Sequence, residues 1–212
     1  MQGPPRYTDP MFRTLRYTAD DAASRHLAQA DPELGVLIDR IGAVEVAVTG
    51  GGFEVMAEAI VSQQLSAKAA ATIWRKLAEQ VGSSAESLAA ASHESLRFAG
   101  LSNRKAEYVA DIARATLAGE IDWVALESLD DEAVIDTLVP LRGVGRWTAE
   151  MYLVFALGRP DVLALDDFGL RSSAGRMTGL GGPMSRTDLA QRGERWRPWR
   201  SAACLWLWSD QG

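Results

Sequence analysis

Two stretches of the chain combine residue types and spacings that could do chemistry. The first is Leu141-Arg142-Gly143-Val144-Gly145-Arg146-Trp147-Thr148-Ala149, in which two glycines one residue apart precede an apolar segment. Glycine at 143 and 145 allows positive φ and leaves no Cβ in the way of an approaching group. The amides that open the next helix lack intrahelical acceptors and sit at the positive end of its dipole. Such a turn suits an anion, with phosphate the first choice, although the same pattern also makes a plain turn between two helices. The second stretch is Asp166-Asp167, after the apolar run Val162 to Leu165 and at the start of another helical segment. An acidic pair there reads first as a helix cap, and the helix start favours its ionised form.

These groups need elements to hold them. Asp131 to Leu138 is predicted to be a helix capped by Asp130 and ended by Pro140, and an apolar helix is predicted from about Trp147 to Leu157. The product is a helix, a tight glycine hairpin and a second helix, followed by the loop Gly158-Arg159-Pro160-Asp161. Further helices are predicted at Ala19–Gln29, Pro32–Ile41, Phe53–Gln64, Ala67–Val81, Ser84–Ala91, Glu94–Ala99 and Asn103–Leu117. Past the acidic pair they are predicted at Asp167–Met177, Ser185–Arg192 and Pro198–Trp208. Leu34, Leu37, Ile38 and Ile41 show the spacing of one buried helix face. Ser66 and Ser102 are expected caps, Gly119 a C-terminal stop, and Met1 to Tyr17 an irregular and partly mobile start.

With 212 residues the chain can bury a core without covalent staples. Its single cysteine, Cys204, excludes an intramolecular disulfide and a four-cysteine iron–sulfur cluster. His26 and His93 stand apart from the motifs, and no His, Cys and carboxylate group has metal-site spacing. The polar, proline-rich start does not resemble a signal peptide, and no apolar run reaches membrane-spanning length, so the expected compartment is cytoplasmic. The net charge of −6 weighs against nucleic-acid binding. However, the window Arg142 to Arg200 holds ten arginines and six acids, net +4, leaving about −10 elsewhere. That asymmetry suggests one binding face.

The hairpin, the loop and the aspartates in this order resemble the helix-hairpin-helix DNA glycosylase superfamily, and within it the 3-methyladenine DNA glycosylase II branch. The resemblance extends to Ile60-Val61-Ser62-Gln63-Gln64-Leu65-Ser66, to Gly100-Leu101-Ser102-Asn103-Arg104-Lys105-Ala106, and to Glu194-Arg195-Trp196-Arg197-Pro198-Trp199-Arg200-Ser201, covering roughly Phe53 to Trp208. It implies an all-α fold, two helical subdomains flanking a substrate cleft. Residues 1–49 would pack with the C-terminal subdomain, 50–155 would form the central domain with the hairpin, and 156–212 would carry the catalytic aspartate.

The implied activity is monofunctional excision of alkylated purines by hydrolysis of the N-glycosidic bond, in base excision repair. Asp167 would be the catalytic carboxylate, stabilising charge on the deoxyribose and helping the attacking water, with Asp166 as cap or support. Trp147 stands where bifunctional relatives place a Schiff-base lysine; with no lysine from Leu138 to Gly212, the imine route is closed. Gly143, Gly145, Arg146 and Thr148 would hold a DNA phosphate. The carbonyls of Val139, Leu141 and Val144 would seat a Na or K ion, with no cofactor otherwise required. Gln63, Gln64 and Leu65 would supply the wedge that fills the gap left by a flipped nucleotide. Trp147, Met151, Tyr152, Trp206 and Trp208 would line an electron-rich pocket for a cationic base, while Trp74, Trp196 and Trp199 are expected in the core or at an interface. The expected partner is damaged duplex DNA, bound by a monomer, with no membrane. The rival readings are a non-catalytic hairpin module that only grips phosphate, a glycosylase for oxidised or mismatched bases, and an inactive homologue.

Overall fold

Helix caps written into the sequence set most of the element boundaries. The computed structural model describes residues 13–210. In chain order these form strand β1 (Arg13–Tyr17), helices α1 (Ala22–Ala30) and α2 (Pro32–Ile41), strand β2 (Val44–Val48), and helices α3 (Phe53–Ser62), α4 (Ala67–Gln80), α5 (Ala85–Ala90), α6 (His93–Phe98) and α7 (Asn103–Leu117). There follow α8 (Asp131–Leu138), α9 (Arg146–Met151), α10 (Phe168–Met177), α11 (Arg186–Gly193) and α12 (Arg200–Ser209). Side chains of Ser66, Ser84, Ser92, Ser102, Asp130 and Ser185 each accept an amide of the first turn of the helix they precede, satisfying a donor that would otherwise lack a partner.

The chain divides into two compact units, Met1–Gly50 with Leu153–Gly212, and Gly51–Tyr152. In the first unit, α12 packs on α2 and β2, and α10 on α12. Its core holds Leu27, Leu34, Ile38, Leu189, Trp196 and Trp206, all essentially without exposed surface. Asp31, buried at the turn between α1 and α2, accepts Arg192 and the Trp196 indole N–H, tying the early helices to the late ones. In the second unit α7 is the central helix, packed against α3, α5 and α6, with Val109, Ile112 and Ala113 buried. Among the described residues, no helix is long and apolar enough to cross a membrane.

Three expectations change. Of the segment expected to be irregular, residues 1–12 lie outside the described residues, whereas Arg13–Tyr17 is a strand paired antiparallel with Val44–Val48, Arg13 opposite Val48 and Tyr17 opposite Val44. The pairing follows from Val44, Val46 and Val48, which alternate buried with exposed Glu45 and Ala47. The long helix expected from Trp147 to Leu157 is α9 followed by a π-helical turn at Tyr152–Ala156. Finally, the arginine-rich window is not a free cationic face. Arg142, Arg146, Arg176, Arg186, Arg192, Arg197 and Arg200 are all engaged with carboxylates, several from the acidic remainder of the chain.

Candidate active site

In the second unit, the hairpin is built on the end of α8. The Leu141 N–H donates to Leu138 O at 3.0 Å and the Val144 N–H to Leu141 O at 3.0 Å, which closes the turn. Gly143 takes φ +87°, and a Cβ there would lie 2.3 Å from the Tyr108 ring, so both the backbone and the space require glycine. Gly145 differs. Its φ is −93°, open to any residue, and a Cβ there would meet nothing within 4 Å. Its lack of a side chain clears the outer surface of the turn rather than permitting its shape. Behind it, Arg146, Trp147 and Thr148 form the first turn of α9, where amides have no intrahelical acceptor.

Helix α7 backs the hairpin. Arg142 reaches Glu107 at 3.0 Å and Asp111 at 2.6 Å, and its guanidinium lies 5.6 Å from the centre of the Tyr108 ring. The Arg146 side chain, expected at a phosphate, is engaged by Glu132 and by Glu150, the latter at 3.1 Å. Its charge is therefore largely answered within the protein.

Gln63 is placed differently from its expected role as a wedge. Its Nε2 donates to Gly143 O at 2.9 Å and to Thr148 Oγ1 at 3.2 Å, so the side chain is directed into the hairpin. The two residues that follow do project. Gln64 is exposed and adopts φ +58°, rare for a residue other than glycine, and Leu65 is 39% exposed. On the same unit, Trp147 is 37% exposed, whereas Tyr152 is buried against Trp123 with its hydroxyl accepting the Gly52 N–H at 2.8 Å. Burial drives the Tyr152 phenol up to about 12, against the lowering effect of that amide.

In the first unit, Asp167 is itself the cap of α10. Its Oδ1 accepts the Leu170 N–H at 2.6 Å and the Trp208 indole N–H at 3.1 Å. The capping role expected of Asp166 thus belongs to Asp167, and Asp166 instead pairs with Arg186 at 3.0 Å. The Trp208 ring lies 5.7 Å from that of Phe155, tilted by 31°; Phe155 is not singled out from sequence, since a regular helix gives it no distinct phase. The π-helical turn shifts that phase. Trp206 is corrected from pocket to core: it has no exposed surface, its N–H donates to Gly42 O at 2.9 Å, and it faces Tyr17. The five residues expected in the pocket therefore divide between the units, Trp147, Met151 and Tyr152 in one and Trp206 and Trp208 in the other.

Comparison with known proteins places the chain in a family. Residues 57–198 match the model of the HhH-GPD superfamily of base excision DNA repair proteins. Among curated relatives, the Bacillus subtilis protein YfjP, whose name assigns it provisionally to the DNA-3-methyladenine glycosylases, is 30% identical over 74% of this chain and 58% of its own length. A DNA-3-methyladenine glycosidase from Bacillus halodurans has a similar structure, with a TM-score of 0.82 and 34% identity over 93% of each chain. So does the 3-methyladenine DNA glycosylase of Schizosaccharomyces pombe, solved with abasic DNA, with a TM-score of 0.82 and 30% identity over 89% of this chain and 95% of that one. The chain belongs to the helix-hairpin-helix superfamily of base excision DNA repair proteins.

Proposed function

We propose that this protein is a monofunctional DNA glycosylase that removes alkylated purines of the 3-methyladenine type from duplex DNA. The observation that carries the reading is the setting of Asp167. Its carboxylate is fixed at the start of α10 by the Leu170 amide and by the Trp208 indole N–H. Such a carboxylate stabilises the positive charge that builds on the deoxyribose as the N-glycosidic bond lengthens. Water then adds to C1′, the base leaves with the bonding electron pair, and the proton of the water passes to Asp167 or to solvent. An alkylated purine carries a positive charge before cleavage and departs neutral, so no general acid is needed. Trp147, in place of an amine, leaves water as the nucleophile.

Recognition in this reading is shared among the other residues. The amides around Gly145 to Thr148 hold a phosphate. Gln64 and Leu65 fill the duplex where the nucleotide has left. Trp208, with Phe155 beside it, offers an aromatic face to a cationic base. The carbonyls of Val139, Leu141 and Val144 form a donor set without a carboxylate, which suits a monovalent cation such as Na or K; Leu141 O already accepts the Val144 N–H. When bound, that ion would add positive charge beside the phosphate.

The test is release of 3-methyladenine from methylated duplex DNA by the wild type and by Asp167→Asn. An Asn at 167 still presents an oxygen to the Leu170 amide, so the cap and the fold survive. Release should fall at least about 100-fold while duplex binding stays. Unchanged release would move the chemistry away from Asp167, and wild-type binding of lesion DNA without release would favour a non-catalytic hairpin module.

A further inference from the structure

The polar contacts of Gln63 and Lys105 have no part in the chemistry above, yet they join three functional segments of one unit. Lys105 enters from the first turn of α7 and donates from Nζ to Val61 O at 2.7 Å and to Gln63 O at 2.6 Å. Those carbonyls lie where α3 ends, the negative end of its dipole, and the Leu65 N–H turns back to Ser62 O at 3.2 Å. Partial burial lowers the pKa of the ammonium. From the same residue that Lys105 grips by its carbonyl, the Gln63 side chain crosses to Gly143 O and to Thr148 Oγ1, a hydroxyl on a residue only 4% exposed. Helix α7 closes the circuit, since Tyr108 fills the space that glycine leaves at 143 and Glu107 and Asp111 hold Arg142.

We propose that Gln63 and Lys105 are positioning residues that lock the Gln64–Leu65 turn to the hairpin, so that gripping a DNA phosphate and inserting into the duplex occur as one rigid movement. This inference rests on the wedge role of Gln64 and Leu65 in the reading above. The physical reason for such a lock is the positive φ at Gln64. A non-glycine residue held there is strained, and it persists only if neighbours fix the backbone on both sides. Lys105 fixes the carbonyl side, and Gln63 fixes the turn to a hairpin that is rigid in its own right. Without them the turn relaxes to commoner backbone angles, and the protein still grips phosphate but inserts poorly.

The experiment uses the full chain and a duplex with a tetrahydrofuran abasic site flanked by 2-aminopurine, whose fluorescence rises when insertion disturbs its stacking. Gln63→Met keeps the volume and removes the donors; Lys105→Met does the same, and Lys105→Arg restores two donors as a rescue. The expected result is binding of undamaged duplex within about twofold of wild type, with the insertion signal and single-turnover excision from methylated duplex both reduced about tenfold in the two Met variants. Lys105→Arg should recover most of both. Equal insertion signals in all four proteins would overturn the proposal, as would losses of duplex binding parallel to those of insertion. Because the fluorescence step needs no cleavage, a wild type that inserts but does not excise would refute the glycosylase reading alone, whereas a wild type with no insertion signal would refute the lock.

Discussion

Replacing each of the two hairpin glycines by alanine should give opposite results, because the structure assigns them different duties. At Gly143, φ is +87° and the new Cβ would lie 2.3, 2.6 and 2.9 Å from Cδ2, Cγ and Cε2 of Tyr108. Alanine costs about 1–2 kcal/mol for the left-handed backbone. The atoms it meets belong to the body of a ring rather than to a flexible tip, so relief requires moving Tyr108 and with it Arg142, adding about 1–3 kcal/mol. The total of roughly 2–5 kcal/mol should lower Tm by about 5–15 °C. At Gly145, φ of −93° and ψ of 171° are ordinary for alanine, with nothing within 4 Å. Stability should rise slightly, by about 0.4–1 kcal/mol, since alanine restricts the unfolded chain. Yet the methyl group stands on the outer surface of the turn, and affinity for duplex DNA should fall about tenfold, the equivalent of one charge-assisted hydrogen bond. Thermal melting followed by circular dichroism, paired with fluorescence anisotropy on one labelled duplex at fixed salt, reads both. Equal destabilisation by the two variants, or unchanged DNA affinity for Gly145→Ala, would refute the reasoning.

Four further outcomes follow from the same geometry. Trp208→Phe keeps a ring against Phe155 but removes the N–H on Asp167, a hydrogen bond to a charged group of about 1.5–3 kcal/mol, so base release should slow roughly 10–100-fold with the fold intact by circular dichroism. Burial alone would raise the pKa of Asp31 and Asp210, but Arg192 and Trp196 at the first and Arg40, Ser173 and Arg176 at the second hold both below the usual carboxylate range. A depressed folded pKa gives stability that is complete above the unfolded value of about 4 and is lost as pH falls through the folded value; urea midpoints should therefore drop steeply below about pH 4 in the wild type. Asp31→Ala, which takes the acceptor from the buried Trp196 N–H and leaves Arg192 with Glu33 alone, should cost about 3 kcal/mol at neutral pH by the same urea titration. Burial pushes the Tyr152 phenol up to about 12 and raises that of Tyr17 as well, so a spectrophotometric titration at alkaline pH should show late-ionising tyrosines, and Tyr152→Phe should remove the last step.

Local chemistry wrote much of this protein into its sequence. Caps at Ser66, Ser102 and Asp130 and the boundaries of α2, α7 and α8 can be read directly, because an N-cap acts on amides two or three residues away. The hairpin, the lack of a lysine at Trp147 and the aspartate pair are legible for the same reason, since they depend on residue type and spacing. The strands Val44–Val48 and Arg13–Tyr17 were not anticipated in a chain read as all-α, because their pairing depends on a segment brought from across two helices.

What required the tertiary structure were the assignments that depend on direction in space. Gln63 and Gln64 are adjacent and chemically identical, yet one side chain enters the hairpin and the other stands in the open at positive φ. Trp206 and Trp208 lie two residues apart on α12, too far around the helix to share a face, so the first is core and the second meets Asp167. Arginines that form a positive block in the sequence turn out to be engaged by acids from distant segments, since charge along a chain does not fix charge on a surface. Type and spacing decide which chemistry the chain can offer; only packing decides which of two like side chains delivers it.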